Sequence, residues 1–167
     1  MLAGPICSIA WTDDGQRLIA GGEGSDSMVK AVMADTGTKV GDVYGPSKNV
    51  LSVDVKQKPY RLVVSGENNE VYLFDGVPFK HAKTISQNTN FVNRAVYRPD
   101  GKVFVTVSSD KTIQVIDNDT FEVVKKIEKA HNKGIIDVNW VDDQTIVTCS
   151  TDNQVKYWNI DTGAEIK

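Results

Sequence analysis

Two cysteines in 167 residues, Cys7 and Cys149, are too few for a disulfide framework. Both stand in β-branched, apolar surroundings and read as small buried hydrophobes, which suits a reducing compartment. Basic charge is also scarce, with 19 Lys and Arg against 22 Asp and Glu and a formal net charge of -3. These bases are scattered and form no stripe with interleaved aromatics, which argues against a nucleic-acid partner. No apolar run approaches the length that crosses a bilayer, so no membrane contact is expected. The opening Met1-Leu-Ala-Gly-Pro5-Ile-Cys-Ser lacks the charged and apolar segments of a secretory signal, and the expected address is the cytoplasm. Helical periodicity is missing over any useful length. Lys125-Lys126-Ile-Glu-Lys129 comes nearest and reads as the solvated end of a strand. Metal-ligand spacing is absent too, because His81 and His131 lie far apart with no Cys or carboxylate placed to join them. Gly21-Gly22-Glu23-Gly24 follows a strand but precedes no helix, and it reads as a turn, not a phosphate cradle. No metal, no cofactor and no catalytic residue is expected.

What the chain does have is a repeat. Short runs rich in β-branched and aromatic residues follow one another, separated by Gly, Pro, Asn and Asp. Stepping back 42 residues from Trp158-Asn159 reaches Ile116-Asp117, then Phe74-Asp75, then Val32-Met33. The same step links Asp152, Asp110, Asn68 and Asp26. A period of roughly 40–45 residues is that of a four-stranded WD-repeat blade. The predicted fold is therefore all-β: a WD-repeat β-propeller segment of four consecutive four-stranded antiparallel blades, part of a larger propeller. The blades divide the chain at about 1–45, 46–87, 88–129 and 130–167. Predicted strands run from Ile6–Trp11 in blade one to Gln154–Trp158 in blade four, whose outer strand barely begins at Ala164–Lys167. Blades one and four are expected to leave unpaired faces where further blades dock.

Blade four is the most complete. His131, Ser150, Asp152 and Trp158 stand where a WD-repeat blade keeps a buried polar network. That resemblance implies that Asp152, in the turn between the second and third strands, accepts a proton from His131. Ser150 and the Trp158 indole N–H then complete the network. Its role is structural, because the polar atoms satisfy one another inside an apolar blade. A His, a Ser and an Asp also fit a hydrolase, but no nucleophile elbow or oxyanion-hole glycine motif accompanies them. The other blades depart from this set. Blade three has Asn88 at the His position and Ile116 at the Trp position. Blade two has Gly45-Pro46 and Phe74 there, and blade one has Val32 for Trp.

Several segments resemble one WD-repeat family, the actin-interacting protein 1 family. They include Gly4-Pro5-Ile6, Ile9-Ala10-Trp11, Asn49-Val50-Leu51-Ser52-Val53-Asp54, Pro59-Tyr60-Arg61-Leu62 and Pro99-Asp100-Gly101. The loop Phe74-Asp75-Gly76-Val77-Pro78-Phe79-Lys80 is the most specific, since it lies outside the general repeat pattern. The resemblance covers nearly the whole chain and implies part of a first propeller. It implies a protein that binds actin filaments and assists ADF/cofilin in taking them apart by contact, within the cytoplasmic actin cytoskeleton. It also implies an actin-facing surface at Asp26, Glu67, His81 and Phe91, with His81 standing where the family usually has Phe. Read from the residues alone, Asp26 and Glu67 serve equally well as turn residues bonded to their own backbone. Phe91 serves as blade packing and His81 as a solvated outer-strand residue. A generic WD-repeat scaffold for another complex is the alternative function.

Overall fold

β-Branched runs punctuated by turn residues become strands here in strict chain order. A computed structural model describes residues 2–167. The first sheet holds β1 (Ile6–Trp11), β2 (Arg17–Gly22), β3 (Val29–Met33) and β4 (Lys39–Val43). The second holds β5 (Val50–Lys56), β6 (Arg61–Gly66), β7 (Val71–Asp75) and β8 (Lys80–Ile85). The third holds β9 (Val92–Tyr97), β10 (Val103–Ser108), β11 (Ile113–Asp117) and β12 (Val123–Ile127). The fourth holds β13 (Ile135–Trp140), β14 (Thr145–Ser150) and β15 (Val155–Asn159). Its outer position is reduced to the bridge between Trp158 and Glu165, with the Ile166 N–H donating to the Tyr157 carbonyl at 2.7 Å. Neighbouring strands pair antiparallel throughout, so each sheet is a meander and each is one blade.

The same local devices recur from blade to blade. The first strand carries a register shift near its start at Ile6/Ser8, Val50/Ser52 and Ile135/Asp137, and β10 shifts against β9 at Val107/Ser108. The turn between the second and third strands places Asn69, Lys111 and Asn153, spaced 42 apart, at φ of 65°, 73° and 68°. The Arg98-Pro-Asp-Gly101 turn closes as its residues dictate, with the Gly101 N–H donating to the Arg98 carbonyl at 2.8 Å and Gly101 at φ 69°.

The core lies between blades, not within them. One apolar cluster joins Ile19, Val29 and Ala31 of blade one to Val53, Leu62 and Phe74 of blade two. A second joins Val63, Val71 and Leu73 to Ala95, Phe104 and Ile116. A third joins Val105, Ile113 and Val115 to Val138, Ile146 and Trp158. Adjacent residues of one strand thus serve different cores, as Leu62 and Val63 do. Polar pegs fasten the inner strands across the same boundaries. Ser8 Oγ accepts from the Val53 N–H at 3.1 Å, and Ser52 Oγ accepts from the Ala95 N–H at 3.2 Å. Asp54 Oδ2 accepts from the Tyr97 N–H at 2.7 Å, and Trp140 Nε1 donates to the Val96 carbonyl at 3.2 Å.

This arrangement corrects the expectation for cysteine. Both thiols are free, but Cys7 is exposed and Cys149 only half-buried. Cys149 faces the open side of blade four, and Cys7 is the extra residue at the β1 register shift, a place where Leu51 and Ile136 are not buried either.

Candidate functional site

Two groups of residues carry the candidate chemistry: a buried network in blade four, and one rim of the arc formed by turns between second and third strands. In the network, His131 is 2% exposed and lies in the loop four residues before β13 begins at Ile135. Its Nδ1 stands 3.1 and 3.2 Å from the two carboxylate oxygens of Asp152. Its Nε2 lies 2.8 Å from Thr148 Oγ1, which also accepts from Trp158 Nε1 at 3.0 Å. Placing the imidazole proton on Nδ1 satisfies every partner in one direction. The indole donates to the Thr148 hydroxyl, the hydroxyl donates to Nε2, and Nδ1–H donates to Asp152. Burial alone works against ionisation of Asp152. The N–H groups of Asn132 and Gln154, together with His131, overcome it and hold the carboxyl at about 2.

The hydroxyl at the centre of the network is therefore that of Thr148, not that of Ser150. The two lie on the same face of β14, two residues apart, but Ser150 sits at the strand end. There Ser150 Oγ donates to the Gly134 carbonyl at 2.9 Å and accepts from the Asp152 N–H at 3.2 Å, bracing the turn. Only Thr148 is deep enough to reach both His131 and Trp158. The repeat itself carried the missing signal, since Thr106-Val-Ser108 precedes Thr148-Cys-Ser150 by 42 residues. With all its polar atoms engaged and its histidine buried, the network is a blade brace.

On the rim, Asp26 lies between β2 and β3 and Glu67 between β6 and β7. Phe91 directly precedes β9, and its carbonyl accepts from the Ser109 N–H at 2.9 Å, which puts it on the same rim. Phe91 is 40% exposed, so part of its surface is open to a partner. His81 sits elsewhere. It pairs with Phe74, one residue from the far end of β7, and therefore stands near the opposite rim. Its ring packs edge-on against Phe74 and Tyr72, with centroids 5.7 and 6.3 Å away. Three of the four expected contact residues thus share a rim.

The turn acids at the 42-residue step differ in what they do. Asp110 accepts from the N–H groups of Thr89 and Thr112 at 2.9 and 3.0 Å. Asp152 accepts from Asn132 and Gln154 at 2.9 and 3.1 Å. Both are consumed in holding their own blades. Among the described residues, the side chains of Asp26 and Glu67 make no hydrogen bond or ion pair, which removes the turn-bracing role for these two. Glu23, which sequence reasoning passed over as a turn residue, joins this rim and accepts from Asn49 Nδ2 at 3.4 Å. With Glu70, the described residues of this rim on blades one and two include four acids, with Lys30 beside Asp26 and Lys48 in the intervening loop. Among the described residues no group of three or more His, Cys, Asp or Glu is placed to hold a metal, and no helix is long and apolar enough to cross a membrane.

Comparison with known proteins agrees with this architecture. The model of the WD domain, G-beta repeat, matches residues 2–31, 79–117 and 122–159. The chain is 35% identical over 164 residues to actin-interacting protein 1 of Drosophila melanogaster, covering 96% of this chain and 27% of that protein. It is 38% identical over 168 aligned positions to WD repeat-containing protein 1 of Bos taurus, covering 98% and 28%. To actin-interacting protein 1-2 of Arabidopsis thaliana it is 40% identical over 129 residues, covering 76% and 21%. The chain thus spans about a quarter of the length of these relatives. Among solved structures, the WD40 β-propeller domain of Doa1 superposes with a TM-score of 0.83 at 22% identity, over 98% of this chain and 54% of that one. That likeness shows the fold.

Proposed function

The chain belongs to the family of the WD domain, G-beta repeat, and on that premise we propose that it is an actin-directed contact module. It binds actin filaments, best when ADF/cofilin decorates them, and assists cofilin in taking filaments apart without breaking covalent bonds. Its workplace is the cytoplasmic actin cytoskeleton, and its units are the four blades at 1–45, 46–87, 88–129 and 130–167. One observation carries the proposal. Asp26 and Glu67 hold unpartnered carboxylates on a single rim, while Asp110 and Asp152 spend theirs internally. Carboxylates left free beside an exposed aromatic suit a basic partner surface, with Phe91 as anchor and the acids setting orientation and encounter rate. The names of two relatives, which say that they interact with actin, support actin as that partner, and the filament is the form this reading assigns to it. His81 contributes only where the partner also covers the outer edge strand β8.

The test is co-sedimentation with actin filaments, with and without cofilin, for the chain and its Asp26→Ala/Glu67→Ala variant, with a full-length relative carrying the matching changes alongside. The expected outcome is pelleting that increases with cofilin and falls about tenfold or more in affinity in the double variant. Equal pelleting of both forms would remove these acids from the contact. No pelleting by the relative either would replace the actin reading with a scaffold for another complex.

A further inference from the structure

Blade two lacks the brace of blade four, with Val64 and Phe74 at the positions of Thr148 and Trp158. A different network holds its turn between β6 and β7, and Glu70 is the hub. Glu70 Oε2 accepts from the Tyr72 hydroxyl at 2.5 Å and from Asn68 Nδ2 at 3.1 Å. Its Oε1 accepts from Ser86 Oγ at 2.9 Å. Tyr72 is 6% exposed, and burial, then its bond to Glu70, pushes the phenol up to about 12. It therefore remains a hydrogen-bond donor at neutral pH. Asn68 and Glu67 lie in the turn itself, where the Glu67 N–H donates to the Asn49 carbonyl at 3.0 Å. One carboxylate thus ties this turn to the third strand and to the end of the outer strand.

Ser86 is the accessible member of the network. It is exposed and follows Ile85, which pairs with Val71 at the turn end of the blade. By contrast Ser8, Ser52, Ser65, Ser108 and Ser150 are buried. Thr84 is half-buried, with its hydroxyl 2.9 Å from His81 Nε2. The strand leading to Ser86, β8, begins with four exposed residues and pairs only with β7, so its end detaches from a single neighbour. Residues 83–87 form one wall of an open hollow of about 540 Å³, and residues 120–123 form the other. Lys83 stands three residues before Ser86, and Lys80 stands six before it. An exposed serine preceded by two spaced bases, at the end of an edge strand with open space beside it, fits the acidic peptide groove of a basophilic protein kinase.

We propose that Ser86 is a phosphorylation site whose phosphate unlocks the turn between β6 and β7. The Ser86 hydroxyl oxygen attacks the γ-phosphorus of ATP held by the kinase. Its proton passes to the kinase's base, and the bond to the departing ADP breaks. A hydroxyl donor is thereby exchanged for a group of charge about -1.5 to -2 with three strong acceptor oxygens. Glu70 Oε1, which accepted from that hydroxyl, then meets like charge at the same place. The half-buried carboxylate turns to solvent, and Tyr72 and Asn68 lose their shared acceptor. The loosened turn carries Glu67, so the presentation of the acidic rim changes. That consequence rests on the function proposed above, whereas the modification and the loosening do not.

The test uses the catalytic domain of protein kinase C with ATP, followed by hydrogen exchange of the modified chain. Phosphate is expected on Ser86 in the parent and not in Ser86→Ala. Lys80→Ala/Lys83→Ala is expected to lower kcat/KM for that transfer at least about tenfold. In the phosphorylated chain the Glu67 amide is expected to exchange at least about tenfold faster than in the unmodified chain. In Glu70→Gln, whose side-chain N–H donates to the phosphate, phosphorylation is expected to change that rate less than about twofold. The proposal fails if Ser86 takes up no phosphate, or if removing both lysines leaves the transfer unchanged. It fails equally if the Glu67 amide exchanges no faster in the modified chain, or if Glu70→Gln loosens as much as the parent.

Discussion

Asp152 shows how a single residue ties the turn, the network and the response to acid together. Its carboxyl is held at about 2 against burial by two backbone N–H groups and His131, while an unfolded Asp titrates near ~3.9. A depressed acid contributes stability that is complete above the unfolded value and disappears as pH falls through the folded one. Between about pH 5 and pH 2, the folded chain therefore loses this contribution. Asp14, held at about 2 chiefly by the Thr12 hydroxyl and then by the Gln16 N–H, loses its own in the same window. Asp152→Asn is expected to lower the melting temperature at pH 6 and to flatten, not abolish, its decline toward pH 3. An undiminished decline in the variant would show that Asp152 does not titrate with folding. At this scale the sequence was partly legible. Asp152, His131 and Trp158 could be named from spacing, whereas Thr148 could not. A strand presents two hydroxyls on one face, and only depth decides which of them meets the ring.

At the scale of elements, strand positions followed from the pattern, and the predicted Ile135–Trp140 and Thr145–Ser150 are the observed β13 and β14. Alternation and turn residues are local properties, so a local reading suffices for them. The state of each blade's interior was less legible, because it depends on contacts across strands. Blade three buries Asn88, Thr106 and Gln114 at 9%, 1% and 0% exposure. Asn88 Nδ2, Thr106 Oγ1 and Gln114 Oε1 there have no protein partner. Asp110 and Thr106 already occupy the positions held by Asp152 and Thr148 in blade four. Asn88→His is therefore expected to bridge them as His131 does and to stabilise the chain by about 1 kcal/mol, a gain of several degrees in melting temperature. Thermal melts check this, and a variant that melts lower would show that blade three has no room for the ring.

For the whole molecule, cores that lie between sheets make stability a nearest-neighbour property. β6, β7, β10 and β11 have neighbours on both faces and are almost fully buried, while β1 and β15 present one face to solvent. Hydrogen exchange is expected to show greater protection in β6, β7, β10 and β11 than in β1 and β15. Uniform protection across these strands would contradict the nearest-neighbour picture. The rim was the least legible feature from sequence. Asp26 and Asp152 occupy the same place in the repeat, and only the presence or absence of bonding partners in three dimensions separates a free carboxylate from a committed one.

The sequential order of strands in every sheet also has a mechanical meaning. Force applied at the two termini passes along the chain and meets each sheet at its first and last strands. A meander loaded this way opens hairpin by hairpin, breaking a few cross-strand bonds at a time, not the whole ladder in shear. Since a blade loses a wall of its core when its neighbour opens, the opening of one blade weakens the next. Each lost blade releases about 14 nm of slack for its 42 residues. The molecule is thus compliant along its own thread, because its ladders open in series.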